Sequence, residues 1–266
     1  LELTDPKGGH GVIDKKLLAE GEAWLDKQVR NPFPKRVVFK TYWLRYDGAY
    51  WAHIDTIEKV DEPARIDAHI TDNGCQVAIT NADRFHLDLV PQLVGTAKSV
   101  PVRINNNGEP ITASTGRTVS FAKANGTWAI AAERYPQGLV KKRGLSGPVQ
   151  DVFMEHPVLM VHGERTTAKM LDDIVDKLIS RGDGSGVLRT GFERTSDANV
   201  SDKDIAEKNL VLVGTPRQNR FLSRIADKLP VTFSDDGFKI AGKEYRSADS
   251  QLVMVYPNPL NPERYV

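Results

Sequence analysis

The segment Ala64-Arg65-Ile66-Asp67-Ala68-His69-Ile70 alternates without a break, apolar at each even position and charged or polar at each odd one. Successive side chains of a β-strand point to opposite faces, so this pattern describes a strand with one face buried and one wet. Phe85, Leu87 and Leu89 repeat it against Arg84, His86 and Asp88. Between such runs stand Asp72-Asn73-Gly74, Asn105-Asn106-Asn107-Gly108 and Asn125-Gly126, residues that tolerate positive φ and mark hairpin turns. Residues 35–140 therefore read as an all-β sandwich of roughly eight strands.

Outward from this region the period changes. Beyond Gly147 short continuous apolar runs, Val158-Leu159-Met160-Val161 and Leu210-Val211-Leu212-Val213, alternate with amphipathic patterns. One helix face is formed by Met170, Leu171, Ile174, Val175, Leu178 and Ile179, another by Phe221, Leu222, Ile225, Ala226 and Leu229. Such alternation predicts a small three-layer α/β domain with a mainly parallel sheet over residues 141–266. Gln251 to Tyr256 reads as a further strand, and Arg181 to Gly186 and Arg194 to Asn199 as polar connections. On the other side, Asp14 is placed to cap a helix whose face carries Leu17, Leu18, Gly21, Trp24 and Leu25. Asn31-Pro32-Phe33-Pro34 marks its end, because proline cannot continue the ladder. Residues 1–34 thus form a third, short part.

Composition excludes several partners. Lys and Arg number 36 against 35 Asp and Glu, so no net field draws nucleic acid or an anionic membrane surface. No run approaches the roughly 18 apolar residues of a membrane helix. Cys75 is the only cysteine, which rules out an internal disulfide and a cysteine-built zinc site.

Chemistry-bearing residues are sparse. The Gly-x-Ser-x-Gly elbow of a serine nucleophile is absent; Ser146 and Ser185 sit among glycines at the wrong spacing and read as loop residues, and Cys75 as a passive thiol. His53-Ile54-Asp55, Asp67-Ala68-His69 and His86-Leu87-Asp88 each place an imidazole and a carboxylate on one strand face. Polar residues on a wet sheet face need no ligand, so neither a metal nor any other cofactor is expected. Tyr42, Trp43, Tyr46, Tyr50 and Trp51 crowd aromatics into ten residues, for which core packing outweighs a stacking platform. Trp43, Tyr46 and Trp51, with Arg217 in the loop Gly214-Thr215-Pro216-Arg217-Gln218-Asn219, are the substrate-binding candidates. That loop and His162-Gly163-Glu164-Arg165 each follow an expected parallel strand, where open α/β sheets bind ligands, but neither is a dinucleotide fingerprint or phosphate loop and ordinary connections are the favoured reading.

His10, within Gly8-Gly9-His10-Gly11, precedes the capped helix. In α/β-hydrolases the triad histidine stands on a late loop before the last helix, and flanking glycines let the backbone present the imidazole.

Four stretches together resemble the region beyond the catalytic histidine in prolyl-oligopeptidase-like (S9-type) α/β-hydrolases of bacteria that carry long C-terminal extensions. They are residues 7–11, Thr41-Tyr-Trp-Leu-Arg-Tyr-Asp-Gly-Ala-Tyr-Trp-Ala-His-Ile-Asp55, residues 142–153, and Tyr256-Pro-Asn-Pro-Leu-Asn-Pro-Glu-Arg-Tyr265. The resemblance implies that His10 is the triad histidine and that residues 1–34 are the end of a hydrolase domain. It implies an upstream catalytic domain of the same parent chain, with the serine and the acid before Leu1, and a small ester or peptide as substrate. The parent would be secreted or periplasmic, its export signal upstream. Gln150 stands where the third stretch usually carries a second acidic residue.

Overall fold

The computed structural model describes residues 14–106, 108–163, 173, 193–246 and 250–266. His10, Ser185, Arg181 to Gly186 and the helical pattern from Met170 to Ile179, apart from Asp173, lie outside the described residues.

The chain is β-rich. Helix α1 (Lys15–Leu25) comes first, and the Asp14 carboxylate accepts from the Lys16 and Leu17 amides, as its place before the apolar pattern requires. It ends at Leu25, ahead of Asn31-Pro32. Strands β1 (Arg36–Thr41), β2 (Gly48–Ala49), β3 (Ala52–Ile54), β4 (Ala64–Thr71), β5 (Gly74–Thr80) and β6 (Arg84–Leu89) follow. After the short helix α2 (Pro91–Val94) come β7 (Ser99–Ile104), β8 (Ile111–Ser114), β9 (Arg117–Ala124) and β10 (Thr127–Ala131). They form two five-stranded sheets, ordered β1-β4-β5-β7-β8 and β10-β9-β6-β3-β2.

The alternation sets which side faces in. Ala64, Ile66, Ala68 and Ile70 of β4 and Phe85, Leu87 and Leu89 of β6 are buried in one core shared by both sheets, with Val37, Ile54, Val77, Val102 and Phe121. Ten strands rather than eight arise because β2 and β3 are too short to show a period.

Beyond residue 140, β11 (Val158–His162) lies between β12 (Glu193–Ser196) and β13 (Asn209–Val213), and both pairings are parallel. The segment from Arg194 is thus partly strand rather than connection: backbone pairing to β11 overrides its polar side chains. Helix α3 (Asp202–Glu207) precedes β13, and α4 (Arg220–Ile225) follows it, burying Phe221, Leu222 and Ile225; the chain then tightens into a 3-10 turn over Ala226–Lys228. Two antiparallel units complete the chain: β14 (Val231–Phe233), β15 (Phe238–Ile240) and β16 (Lys243–Tyr245), and the pair β17 (Pro257–Asn258) and β18 (Asn261–Tyr265). Gln251 to Tyr256 is not a strand, contrary to its apolar reading; the Tyr256 and Val266 backbones bond each other and the sheet pairing starts at Pro257.

Candidate functional site

Because Ile54, Phe85 and Leu87 point into the core, their neighbours His53, His86 and Asp88 must point to the outer face of the same sheet. β3 pairs antiparallel with β6, and His53 falls directly opposite His86. The imidazoles stack face to face, centroids 4.6 Å apart and 3° from parallel. An outer-face histidine is normally wet, yet His86 is only 5% exposed.

The chain after β10 supplies the cover. Arg134 Nε donates to Asp55 Oδ1 (2.6 Å) and its Nη2 to Asp47 Oδ2 (2.8 Å), while Arg143 Nη1 reaches Asp47 Oδ1 (3.2 Å). The same carboxylates hold the histidines: His86 Nδ1 is 2.8 Å from Asp55 Oδ1, and His53 Nδ1 is 3.5 Å from Asp47 Oδ1. A carboxylate that already receives a guanidinium N–H only accepts, so Nδ1 of His86 carries a proton and donates it. His53 Nε2 lies 3.1 Å from the Tyr50 carbonyl and 3.8 Å from Asp88 Oδ2. Asp88 is steadied by Thr118, whose hydroxyl donates to Oδ1 at 2.5 Å.

Asp47 and Asp55 are both buried. Burial pushes the Asp47 carboxyl up, but the hydrogen bond from His53 and the charges of Arg143, His53 and Arg134 hold it below the usual carboxylate value. Burial likewise pulls His53 down, and the Asp47 carboxylate outweighs it, so its pKa is raised. Asp67 and His69, the third pair of this pattern, lie on β4 in the other sheet; Asp67 is bound by Arg36 and Arg65.

The aromatic run divides. Trp51 is 2% exposed and its Nε1 donates to the Pro34 carbonyl at 2.7 Å, so it packs in the core. Trp43, Tyr42, Tyr46 and Tyr50 are exposed, against the expectation of core packing. β1 stops at Thr41, whose hydroxyl bonds both the amide and the carbonyl of Trp43, and the chain then turns, so alternation no longer applies. Cations lie over three of the rings: Lys40 over Tyr42, Arg45 over Tyr46 and Arg30 over Tyr50. Tyr42 and Trp43 border a groove of about 600 Å³ whose other wall includes Pro136, Val140, Lys141 and Pro148.

The loops after β11 and β13 close on each other. A Cβ on Gly163 would sit 1.7 Å from the Gln218 carbonyl, so only glycine fits there. Asn219 donates to the Val161 and Val213 carbonyls and accepts from the Leu222 amide, tying both strands to α4. Arg217 is exposed and paired with Asp235. Ser146 is buried, its Oγ 3.2 Å from Asp151 Oδ2.

The pairings of His53 and His86 were legible as separate motifs, but Arg134, Arg143 and Asp47 belong to no motif and join the cluster only through the path of the chain. No family model, curated protein or solved structure matches the chain.

Proposed function

We propose that this chain is the C-terminal part of a serine hydrolase, an esterase or peptidase, in which His10 is the triad histidine. In that role His10 takes the serine proton and returns it to the leaving group. The regions beyond it position the substrate or the catalytic domain, which belongs to the same parent chain, exported to the periplasm or beyond the cell. The carrying observation is α1: capped by Asp14, which follows the Gly8-Gly9-His10-Gly11 sequence, it buries no residue and leaves Leu18, Trp24 and Leu25 exposed. An amphipathic helix stays folded by packing its apolar stripe, and the missing surface on this reading is the upstream hydrolase domain.

The reading includes three parts, residues 1–34, 35–140 and 141–266, with a sandwich spacing an α/β unit from the catalytic domain. In support, the large core draws on residues from Val37 to Phe121, and the remaining clusters of the described residues begin at Leu145.

The test is kinetic. In the complete protein, His10→Ala should lower turnover by about 10³-fold or more while the unfolding midpoint holds. The present chain alone should not label with a fluorophosphonate, lacking an activated serine. Near-normal turnover of the variant, or stoichiometric labelling of a serine in this chain, rejects the proposal.

A second reading is a non-catalytic carbohydrate-, peptide- or anion-binding module. It is favoured by the open groove beside Trp43, whose indole is 57% exposed. Arg217 supports the anion variant weakly, since Asp235 already occupies it. Loss of ligand binding in Trp43→Ala, with no serine nucleophile upstream, would select this reading.

A further inference from the structure

We propose that His53, His86 and Asp88 form a binding site for a first-row divalent cation of the zinc type on the outer face of the β10-β9-β6-β3-β2 sheet. The site lies away from His10 in sequence and does not depend on the hydrolase reading.

Four features carry it. One donor atom from each of the three side chains lies within 4.8 Å of the others. The antiparallel register fixes the two imidazoles side by side, and Asp88 follows His86 by two positions on β6, so all three share one face. Both histidines turn Nδ1 toward a buried carboxylate, His86 toward Asp55 and His53 toward Asp47. This is the outer-shell arrangement that fixes the tautomer of a metal-ligating histidine and raises its basicity. It also assigns Nε2 as the ligating atom of each.

The last feature is the surroundings of His53 Nε2. It faces only acceptors, the Tyr50 carbonyl at 3.1 Å and Asp88 Oδ2 at 3.8 Å. In the free protein Nε2–H donates to the Tyr50 carbonyl, and a cation would replace that proton, held by Nε2 and the Asp88 carboxylate. Bonds of about 2.1 Å place neighbouring tetrahedral ligands roughly 3.4 Å apart, and Nε2 of His53 and Asp88 Oδ2 stand near that spacing at 3.8 Å. The rings must do the rest. Stacked at 4.6 Å, the rings have to tilt toward each other, a rotation about χ2 that the broad torsional well of histidine permits. Arg134 and Arg143 do not oppose the charge, since Asp47 and Asp55 already bind them. Two imidazoles with oxygen donors select zinc, cobalt or nickel over magnesium or calcium.

The experiment is a cobalt titration of the untagged full chain, freed of metal, at mildly alkaline pH, above the ordinary imidazole value. Expected is an intense visible d–d band of a four- or five-coordinate site, saturating at one equivalent and displaced by zinc. His53→Ala and Asp88→Asn, both at partly exposed positions, should each abolish the saturable band without altering the far-ultraviolet circular dichroism. Asp47→Asn should weaken binding about 10- to 100-fold by removing the outer-shell support of His53. His69→Ala, on the other sheet, should leave the cobalt band unchanged. A faint octahedral spectrum, a failure to saturate, or a band retained in both His53→Ala and Asp88→Asn would overturn the proposal.

Discussion

Arg134 Nε and His86 Nδ1 converge on a single oxygen, Asp55 Oδ1, at 2.6 and 2.8 Å, although the three residues come from three separate segments of the chain. Asp55 is 1% exposed, and both donors reach it inside the fold. The same guanidinium also bonds Asp47, which fastens the crossing after β10 onto the outer face of the sheet.

Removing this guanidinium leaves two buried carboxylates short of a partner. Arg134→Met should lower the stability of the full chain by about 1.5–3 kcal/mol, the range for a hydrogen bond to a charged group, since Arg134 is itself partly exposed. Urea unfolding measures the change. A difference below about 0.5 kcal/mol, typical of a surface substitution, would show that the cover on the sheet rests on other contacts.

Cys75 lies at the start of β5 with 1% exposure, and burial pushes its thiol up to about 12. The thiolate is the reactive form, so native protein should resist a thiol-selective reagent at neutral pH and react with one equivalent once unfolded. Rapid labelling of the native chain would mean that β5 opens readily.

Acid should act on two carboxylates. The Ser201 hydroxyl, then Lys208 and the Ser201 amide, hold Asp204 at about 2, and Arg36 followed by Arg65 holds Asp67 at about 2, against 3.8 for a free group. A depressed folded-state pKa contributes stability that is complete above the unfolded value and disappears as pH falls from about 4 through about 2. Carbon-detected titration of the two side chains should give these low midpoints. Ser201→Ala should raise that of Asp204 and destabilise α3 by roughly 0.5–2 kcal/mol, the cost of a lost cap. An unchanged Asp204 midpoint in the variant would contradict the capping box.

A fragment of residues 30–148 should fold alone with a β-type circular dichroism spectrum. It retains the core from Val37 to Phe121, the Pro34 carbonyl that receives Trp51, and both arginines of the Asp47 cluster. It loses the Arg45–Glu155 ion pair, so its melting point should fall modestly. A molten or insoluble fragment would show that it shares a folding unit with the residues beyond 148.

The alternation in β4 and β6, the cap at Asp14 and the parallel runs at Val158 and Asn209 were legible because each is local: period, turn chemistry and capping act over a few residues. The same rules failed where distant backbone set the outcome. Glu193–Ser196 is a strand because β11 pairs with it, and Trp43 is exposed because the chain turns at Thr41. By itself, the sequence determined that His86 and Asp88 face away from the core, since side-chain direction along a strand follows from parity. Only the tertiary structure decided that β3 lies in register beside β6 and that Arg134 returns to neutralise Asp47 and Asp55. Pairing and chain crossing are long-range choices, made by the free energy of the whole core, and no local period records them.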